Sequence, residues 1–394
     1  MSKNCLIVNT GSASKKYSFY IGEEKKYGAH FEKEGESLIV TETIDGKKEK
    51  KILADSDYPR SARMVIDSLV REKIIKSEKD LRVIGIRIVA PGDFFLETKK
   101  IDADYINKAE EALEKVPLHL APALTEIKNL KSIFGESVPI VGVSDSAFHK
   151  TIPLKNKLYS IPISHTRKYE VYRFGYHGIS IKSIVCQIKE KLSYIPEKMV
   201  VCHLGGGASI SAVLNGESIN NTMGFTPLEG LTMATRVGDI DPGVVLFLAD
   251  KLNLNTSELN YYFNNKCGLL GLSGSSDDIR ELLSKEKEGD KDAALALQVY
   301  VERVRENIAK MTANLGGIDM LVFAGTVGER SYILRDRICR DLAYMGIILD
   351  KTKNDLNEGN RLDLENDESQ AKIMIIKTDE MAEIIKAVYE FDLN

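Results

Sequence analysis

Several features that mark particular classes of protein are missing from this sequence of 394 residues. No apolar run approaches the roughly 20 residues that a membrane helix needs. The N-terminal apolar segment is too short and too early for a signal peptide. Lys and Arg total 54 against 58 Asp and Glu, so the net charge of -4 gives no basic field for a nucleic-acid backbone. We therefore expect a cytoplasmic protein with neither a membrane nor a nucleic acid as partner.

Cysteine and histidine are also few. The five cysteines include no CxxC pair, and their odd number favours reduced thiols over a disulfide framework. No two of the six histidines stand at the i, i+4 spacing of a zinc site. A transition-metal enzyme is therefore not indicated. The 43% of hydrophobic residues is enough for one large core or two ordinary ones.

Short apolar segments alternate with helical patterns along the chain, which is typical of an α/β protein. Asp45-Gly46 indicates a two-residue hairpin, and Pro139 would stand at an edge or at the first position of its strand. The strands predicted in the first half lie at 6–8, 38–41, 83–89 and 138–143.

The same pattern begins again near the middle of the chain. A strand at 199–202 enters Gly205-Gly206-Gly207, and a strand at 209–214 turns at Asn215-Gly216 into a second hairpin. The segment at 6–8 enters a similar turn at 11–14, about half the chain earlier. We therefore expect a duplicated fold with a cleft between two similar lobes.

The longest helical pattern runs from 292 to 315, with apolar residues at alternating steps of four and three. Gly316-Gly317 would end it with a left-handed cap, and a strand at 320–323 follows. The apolar stripe favours packing on a sheet, and a coiled-coil seam is the alternative.

Three Gly-rich segments each follow an apolar strand: NTGSAS at 9–14, HLGGGAS at 203–209 and GTVGER at 325–330. Such turns expose backbone N–H groups that can bind phosphate, although plain turns are the alternative for any one of them. Neither a P-loop nor a GxGxxG segment opening a helix after a strand is present. The three segments together predict a phosphate site of another kind.

Three charged residues interrupt or follow apolar strands. Arg87 either pairs with a buried acid or binds an anionic ligand. Arg236 either binds a ligand or pairs with the nearby Asp239 and Asp241. Asp145 could hold Mg²⁺, orient an arginine or cap a helix.

Taken together, these segments resemble the acetate kinase family. The motifs NTGSASKKYSF, RIVAPG, VPLHLAP, SDSAFHKTIP, YRFGYHGIS, CHLGGGASI, MGFTPLEGLTMATRVGDIDPG, GLLGLSGSSDDIREL, FAGTVGERSYILR and IIKTDEMAEI occur in the family's order and spacing. The resemblance covers essentially the whole chain and implies an α/β, duplicated actin-like (ribonuclease H-like) ATPase fold, with two lobes, a central cleft and a homodimer. Residues 1–150 plus 381–394 would form the N-terminal lobe, on the acid and Mg side. Residues 151–380 would form the C-terminal lobe, for nucleotide binding and dimerisation.

The resemblance also implies roles for individual residues. Arg87 and Arg236 would clamp the substrate carboxylate and neutralise the phosphoryl group, and His177, with His119 nearby, would stabilise its charge. Asp145 would orient Arg87 or a Mg²⁺-bound water, since ionised acetate needs no general base. Mg²⁺, or Mn²⁺, would bind Asn9 and Glu380. The pocket for the acid's methyl group would consist of Val89, Leu118, Tyr176 and Pro227. ATP or ADP would contact Ser12, Ser14, Lys16, His203, Leu204, Gly205, Gly206, Gly207, Asp278, Ile279, Arg280, Thr326, Val327, Gly328, Glu329 and Arg330.

The implied reaction is a reversible, Mg-dependent transfer of the ATP γ-phosphoryl group to acetate, giving acetyl phosphate and ADP. The chain departs from the family pattern where Ala90-Pro91-Gly92 replaces His-Gly-Gly, where Tyr176 replaces Phe and where Gly206 replaces Asn. Thr326 and Arg330 also differ from the usual Gly and Asn. The alternatives are an acyl kinase for propionate or butyrate, one that uses pyrophosphate, and an actin-like nucleotide-binding module that has lost transfer.

Overall fold

The structure is a computed structural model that describes residues 4–11, 14–34, 37–355 and 363–391. The chain folds as two compact units. Unit 1 contains residues 1–147 and 379–394, and unit 2 contains residues 148–378. Within the described ranges, no helix has the length and apolar character needed to cross a membrane.

Unit 1 is built on one sheet with the strand order β5-β4-β3-β2-β1-β6-β8-β7. β1 pairs in parallel with β6, which pairs in parallel with β8, and the other neighbours are antiparallel. The strands are β1 (Asn4–Thr10), β2 (Ser14–Ile21), β3 (Glu24–Glu34), β4 (Ser37–Ile44), β5 (Lys47–Ala54), β6 (Val83–Ile88), β7 (Lys99–Lys100) and β8 (Ile140–Ser144).

Helices cover both faces of this sheet. The helices α1 (Ser61–Arg71), α2 (Ala103–Ala112) and α3 (Pro117–Phe134) share a core with one face. The C-terminal helix, Glu380–Glu390, packs on the other face against Gly85, where a Cβ atom would lie 2.6 Å from Val388 Cγ2. Gly85 is therefore required by this close approach. Short 3₁₀ segments lie at Asp55–Arg60, Glu78–Asp80 and Asp93–Phe95, and a fourth, Ala147–Thr151, begins at the last residue before unit 2.

Glu42, on β4, accepts side-chain hydrogen bonds within unit 1. Glu42 lies 2.7 Å from Lys51 Nζ and accepts a hydrogen bond from the Tyr27 hydroxyl. Burial alone would raise the pKa of Glu42, but the hydrogen bonds from Lys51 and Tyr27 outweigh it and lower the pKa to about 2. Glu42 therefore stays ionised in the folded unit at neutral pH.

Unit 2 contains a second sheet, with the strand order β11-β10-β9-β12-β13. Its strands are β9 (Lys198–Leu204), β10 (Ala208–Leu214), β11 (Glu217–Asn221), β12 (Met320–Ala324) and β13 (Lys372–Ile375). From β11 to β13 the pairings are antiparallel, antiparallel, parallel and parallel, the same series as from β3 through β2, β1 and β6 to β8. The predicted duplication is therefore present as two sheets of the same topology.

Unit 2 also contains helices before and between these strands. They are α4 (Leu154–Lys157), α5 (Ile163–Tyr169), α6 (Gly178–Leu192), α7 (Pro242–Lys251), α8 (Thr256–Asn265), α9 (Gly268–Ser273), α10 (Ile279–Lys287), α11 (Lys291–Leu315), α12 (Gly325–Arg330), α13 (Tyr332–Cys339) and α14 (Lys351–Asp355), with a 3₁₀ segment at Ala343–Met345. The C-terminal helix that belongs to unit 1 is then α15. Apolar residues of α6 share a core with β9, β12 and the strand-end residue Ile376.

Helix α11 confirms the predicted long helix and its cap. Its stripe, from Leu297 to Leu315, is buried, and the helix packs against β9 and β10. Gly316 ends it with φ 66°, a left-handed cap that glycine adopts without a steric cost. The sheet-packing interpretation is correct, and the coiled-coil alternative is not needed.

One predicted turn is wrong. Residues 325–330 form the helix α12 instead, directly after β12. Gly325 adopts φ 74°, and a Cβ atom there would lie 2.5 Å from the Leu204 carbonyl oxygen. Glycine is required because the backbone passes so close to β9, and the reversed φ starts the helix at once. The hairpin turns at 45–46 and 215–216 are as predicted.

Candidate active site

The first group of candidate residues lies in unit 1, where three parallel strands end at one edge of the sheet. Asn9 is near the end of β1, Arg87 is near the end of β6, and Asp145 follows β8. The Asp145 backbone N–H donates to the Ile88 carbonyl at 2.9 Å, which continues the pairing beyond the last strand residues. The carboxyl edge of adjacent parallel strands is where α/β sheets bind their ligands.

Arg87 is bonded to the other members of this group. Its Nε donates to Asp145 Oδ1 at 2.9 Å, and its Nη1 lies 3.6 Å from Glu380 Oε2. Asn9 Nδ2 donates to Glu380 Oε2 at 2.9 Å, and Asn9 Oδ1 lies 3.4 Å from Arg87 Nη1. Of the two roles predicted for Arg87, the pairing with a buried acid is present. That acid is Asp145, which accepts a hydrogen bond from the guanidinium and orients it.

Burial alone would lower the pKa of Arg87. The charges of Asp145 and Glu380, with the hydrogen bond to Asp145, outweigh it and raise the pKa above its ordinary value. The guanidinium is therefore a permanent cation in a partly dry site, where its attraction for an anion is stronger than in water. Part of the side chain, 18%, is still exposed, so an anionic ligand can reach it.

The oxygen atoms of this group suit a magnesium ion. Asn9 and Glu380 carry the amide and carboxylate oxygens that Mg²⁺ prefers, and Mg²⁺ typically takes one or two carboxylates together with phosphates. Glu380 is the first residue of α15, and its carboxylate is already oriented by Asn9. Among the described residues there is no cluster of three or more His, Cys, Asp or Glu that could hold a metal. Asn9 and Glu380 can offer one amide oxygen and one carboxylate to such an ion.

The other candidates of unit 1 lie on neighbouring elements. Lys16, on β2, is directly opposite Asn9 in the strand register, with Ser14 at the start of the same strand. Leu118 and His119 are the second and third residues of α3, and Val89 follows β6. Ser12 lies outside the described residues.

The second group of candidates lies in unit 2, around His177. His177 Nδ1 is 2.9 Å from the hydroxyl of Ser209, and its ring centroid is 4.4 Å from that of His203. A Cβ atom added to Gly207 would lie 3.4 Å from both His177 Nε2 and Arg236 Nη1. His177 and Arg236 therefore approach the same glycine from two separate segments of the chain.

The sequence offered a structural ion pair as the alternative role for Arg236. In the structure, its Nη1 donates to the Pro227 carbonyl at 3.2 Å. Asp239 Oδ1 accepts from the Gly230 N–H at 2.9 Å, and Asp241 caps α7 through the Gly243 N–H. Both aspartates thus have local backbone partners of their own.

The nucleotide candidates fall at two neighbouring segments and one separate helix start. The turn Leu204–Gly207 follows β9, and a Cβ on Gly205 would lie 4.0 Å from the Thr326 N–H nitrogen at the start of α12. Burial raises the pKa of Glu329 in that helix. Asp278 is the N-cap of α10, which begins at Ile279, and it is paired with the exposed Arg280. The turn Leu204–Gly207 and the start of α12 therefore lie side by side, whereas Asp278 and Arg280 form a local ion pair at the start of α10.

Tyr176 is buried, and its hydroxyl donates to the Phe225 carbonyl at 2.8 Å. A phenylalanine could not form this bond, so the substitution relative to the family pattern ties the ring to the segment before Pro227.

Sequence reasoning missed Ser209 and His149. Ser209 stands directly opposite His203 in the β9–β10 register, so strand alternation within CHLGGGASI could have located it. His149 is completely buried, and its ring is bonded to the Tyr176 carbonyl. Nothing in the local pattern SDSAFHKTIP gives that contact, because the partner comes from another segment.

The repeated strand order places the chain in the actin-like, ribonuclease H-like ATPase class, which confirms the predicted fold. A model of the acetokinase family matches residues 4–386. The chain therefore belongs to the acetokinase family, whose members are phosphotransferases with a carboxyl group as acceptor.

Individual relatives agree with this family. The acetate kinase of Clostridium acetobutylicum is 38% identical over 384 residues, which is 95% of each chain. The crystal structure of Porphyromonas gingivalis acetate kinase is similar with a TM-score of 0.86 and 31% identity, covering 99% of both chains. A propionate kinase from Francisella tularensis has a TM-score of 0.89 and 32% identity, covering 98% of both chains.

Proposed function

We propose that this protein is an acetate kinase that reversibly transfers the γ-phosphoryl group of ATP to acetate, giving acetyl phosphate and ADP. The observation that carries the proposal is the guanidinium of Arg87, which Asp145 orients at 2.9 Å where the parallel strands β6 and β8 end. A guanidinium binds a carboxylate through two parallel N–H bonds. The family match supplies the reaction class.

The transfer would be direct and in line, with a carboxylate oxygen of acetate attacking the γ-phosphorus. Acetate is ionised at neutral pH, so no general base is required. Asp145 would therefore orient Arg87 and would not serve as a general base. Positioning and electrostatic stabilisation would supply most of the rate, as in other phosphoryl transfers.

Unit 2 would stabilise the charge of the transferred group. Arg236 and His177 approach the same small residue, Gly207, which leaves room for phosphoryl oxygens. If the hydroxyl of Ser209 donates to His177 Nδ1, the ring carries its proton on Nε2 and can donate it towards an oxyanion. His119, which belongs to α3 of unit 1, would give a further contact.

Asn9 and Glu380 are the residues that would hold Mg²⁺, or Mn²⁺ in its place. Bound there together with ATP, the ion would neutralise phosphate charge. Asn9 keeps the carboxylate of Glu380 oriented through its hydrogen bond at 2.9 Å. Lys16, across the strand pair from Asn9, would contact the nucleotide phosphates with Ser14 and Ser12.

The nucleotide itself would bind at the turn 203–207 and the start of α12. Gly205 and Gly325 bring these two backbones together, and the N-terminal N–H groups of α12 add donors for phosphate. Asp278, Ile279 and Arg280 would contribute from α10. A Cβ on Gly206 would meet nothing within 4 Å, so the site there is open.

The protein would act as a homodimer through α7. No residue of this helix is buried, although its sequence PGVVLFLADK is largely apolar. Leu246 is 73% exposed and Phe247 is 60% exposed. Such an apolar surface is typical of a protein interface.

A longer acid is the second candidate substrate. The similar structure from Francisella tularensis is a propionate kinase, and Ala90 and Tyr176 alter two positions of the implied acid site. One methylene in an apolar pocket is worth about 1 to 3 kcal/mol, which allows slow turnover of propionate or butyrate. Pyrophosphate as donor is motivated by Gly206, Thr326 and Arg330.

The experiment traps the acyl phosphate with hydroxylamine, using acetate, propionate and butyrate, each with Mg²⁺ and either ATP or pyrophosphate. Most product with acetate and ATP supports the proposal. Product only with a longer acid or with pyrophosphate would transfer the assignment to a related acyl kinase. No product with any pair would leave a nucleotide-binding module.

A further inference from the structure

A buried histidine that the proposed chemistry does not use contacts the backbone just before His177. His149 lies in the 3₁₀ segment Ala147–Thr151, with its Nε2 2.9 Å from the Tyr176 carbonyl oxygen and its Nδ1 2.7 Å from the Ser218 hydroxyl. A carbonyl can only accept, so Nε2 carries the proton and donates. In the neutral ring Nδ1 then accepts from the Ser218 hydroxyl. Both ends of the imidazole are therefore oriented.

The same carbonyl lies near a second donor. Asn221 Nδ2 is 3.3 Å from the Tyr176 oxygen and 2.8 Å from the Ser211 hydroxyl. This carbonyl belongs to the peptide plane that leads into His177. Because a peptide unit is planar, fixing its oxygen also fixes the direction from which the chain enters His177.

His177 needs that support because its backbone is left-handed. It adopts φ 60° and ψ 20° as the N-cap of α6, a conformation that costs energy in a residue with a Cβ and persists only where the surroundings fix it. Gly175 also has a positive φ, 76°, and a Cβ there would lie 2.7 Å from His149 Cγ. The ring of His149 therefore packs against the segment 175–177 and bonds to it.

We propose that His149 is a positioning residue for His177 and acts through the Tyr176 carbonyl. It stabilises the left-handed backbone that points the His177 ring at Ser209 and at the space beside Gly207. The assignment of a catalytic effect rests on the proposed function of His177, whereas the geometry lies within unit 2.

Two substitutions separate the bond from the volume of the ring. The amide nitrogen of Gln can replace Nε2 of histidine, so His149→Gln can still donate to the Tyr176 carbonyl. His149→Asn reaches only the position of Nδ1, so it keeps the contact with Ser218 and loses the one with Tyr176. As control, Thr151→Val removes a hydrogen bond of 2.8 Å from the same segment to the Ser218 carbonyl, without touching 175–177.

We expect His149→Asn to lower kcat for acetyl phosphate formation by about 10- to 100-fold, the effect of a displacement of roughly 1 Å. The KM values for acetate and ATP should change less than twofold, and His149→Gln and Thr151→Val should keep most of the wild-type kcat. Equal kcat in the Asn and Gln variants, whether both high or both low, would overturn the proposal. If His149→Asn does not fold, Ser218→Ala replaces it in the test, because it removes the hydrogen bond at Nδ1 of His149. Ser218→Ala should lower kcat by a smaller factor, and an unchanged kcat in this variant would count against the proposal.

A second readout does not need activity. The ¹⁵N resonances of the His177 ring report its tautomer and its hydrogen bond to Ser209. They should shift in His149→Asn and stay near the wild-type values in His149→Gln. If the wild-type protein makes no acyl phosphate, the proposed function fails, but these spectra still decide the positioning. Unchanged His177 resonances in His149→Asn would refute it.

Discussion

Replacing Asp145 by asparagine removes one charge from the Arg87 pair while keeping its shape. Asp145 is almost completely buried, and its Oδ1 accepts from Arg87 Nε at 2.9 Å. Breaking a buried pair typically costs about 3 to 5 kcal/mol. Arg87 is 18% exposed and still has Glu380 at 3.6 Å, so we expect a loss of about 2 to 3 kcal/mol in the free energy of unfolding. A guanidinium that is no longer fixed should lower kcat about 100-fold.

Urea unfolding gives the stability, and the hydroxamate assay gives kcat and KM well below the transition. Glu126→Gln is the matched control, since it breaks another buried pair of unit 1, Lys15 Nζ to Glu126 Oε2 at 2.7 Å. The control should lose a similar amount of stability, about 3 kcal/mol, with kcat within about twofold of wild type. Near-normal turnover in Asp145→Asn would remove Asp145 from the mechanism. An equal loss of kcat in both variants would show that stability alone explains the effect.

Three further changes test other parts of the structure. Gly325→Ala should lower the free energy of unfolding by at least about 2 kcal/mol, because its Cβ would lie 2.5 Å from a carbonyl oxygen at a positive φ. The control is Gly206→Ala, whose Cβ would meet nothing within 4 Å, so its free energy of unfolding should stay within about 0.5 kcal/mol of wild type. Thermal unfolding measures both, and equal effects would contradict the close approach at Gly325. Glu42 has a folded-state pKa of about 2, below its value in the unfolded chain. Its contribution of about 2 kcal/mol to the free energy of unfolding is therefore present above roughly pH 4.5 and declines as the pH falls towards 2. In Glu42→Gln, the free energy of unfolding measured with urea should depend less on pH over that range, and an unchanged pH dependence would refute the assignment. Leu246→Glu should shift the mass measured by light scattering from dimer to monomer, and a dimer that persists would exclude α7 as the interface.

The sequence was most informative where a signal is local. The hairpins at 45–46 and 215–216 and the capped helix α11 follow from turn chemistry and periodicity, and they agree with the structure. The predicted strands are present, but the one predicted at 138–143 begins only at Ile140, after Pro139, and β2, β3, β7 and β13 were not predicted. The segment 325–330 was predicted as a turn, because a Gly after a strand does not reveal that a reversed φ will start a helix. That outcome depends on the close passage of β9, which is a long-range contact.

Among the site residues, too, some follow from local sequence signals and others depend on long-range contacts. The edge of parallel strands explains why Asn9, Arg87 and Asp145 meet, but their partner Glu380 comes from the far end of the chain. Only the family resemblance indicated that pairing. The bond from His149 to Tyr176 could not be predicted by either route, because periodicity says nothing about which carbonyl a buried ring will reach.

The most direct test of the central claim uses acetate labelled with ¹⁸O in both oxygens, with ATP and Mg²⁺, and follows the product by ³¹P NMR. If a carboxylate oxygen attacks the γ-phosphorus, the label lies in the bridge between carbon and phosphorus, and the phosphorus resonance of acetyl phosphate shows the isotope shift. An acetyl phosphate without that shift would mean that the carbonyl carbon is attacked instead, and it would contradict the account.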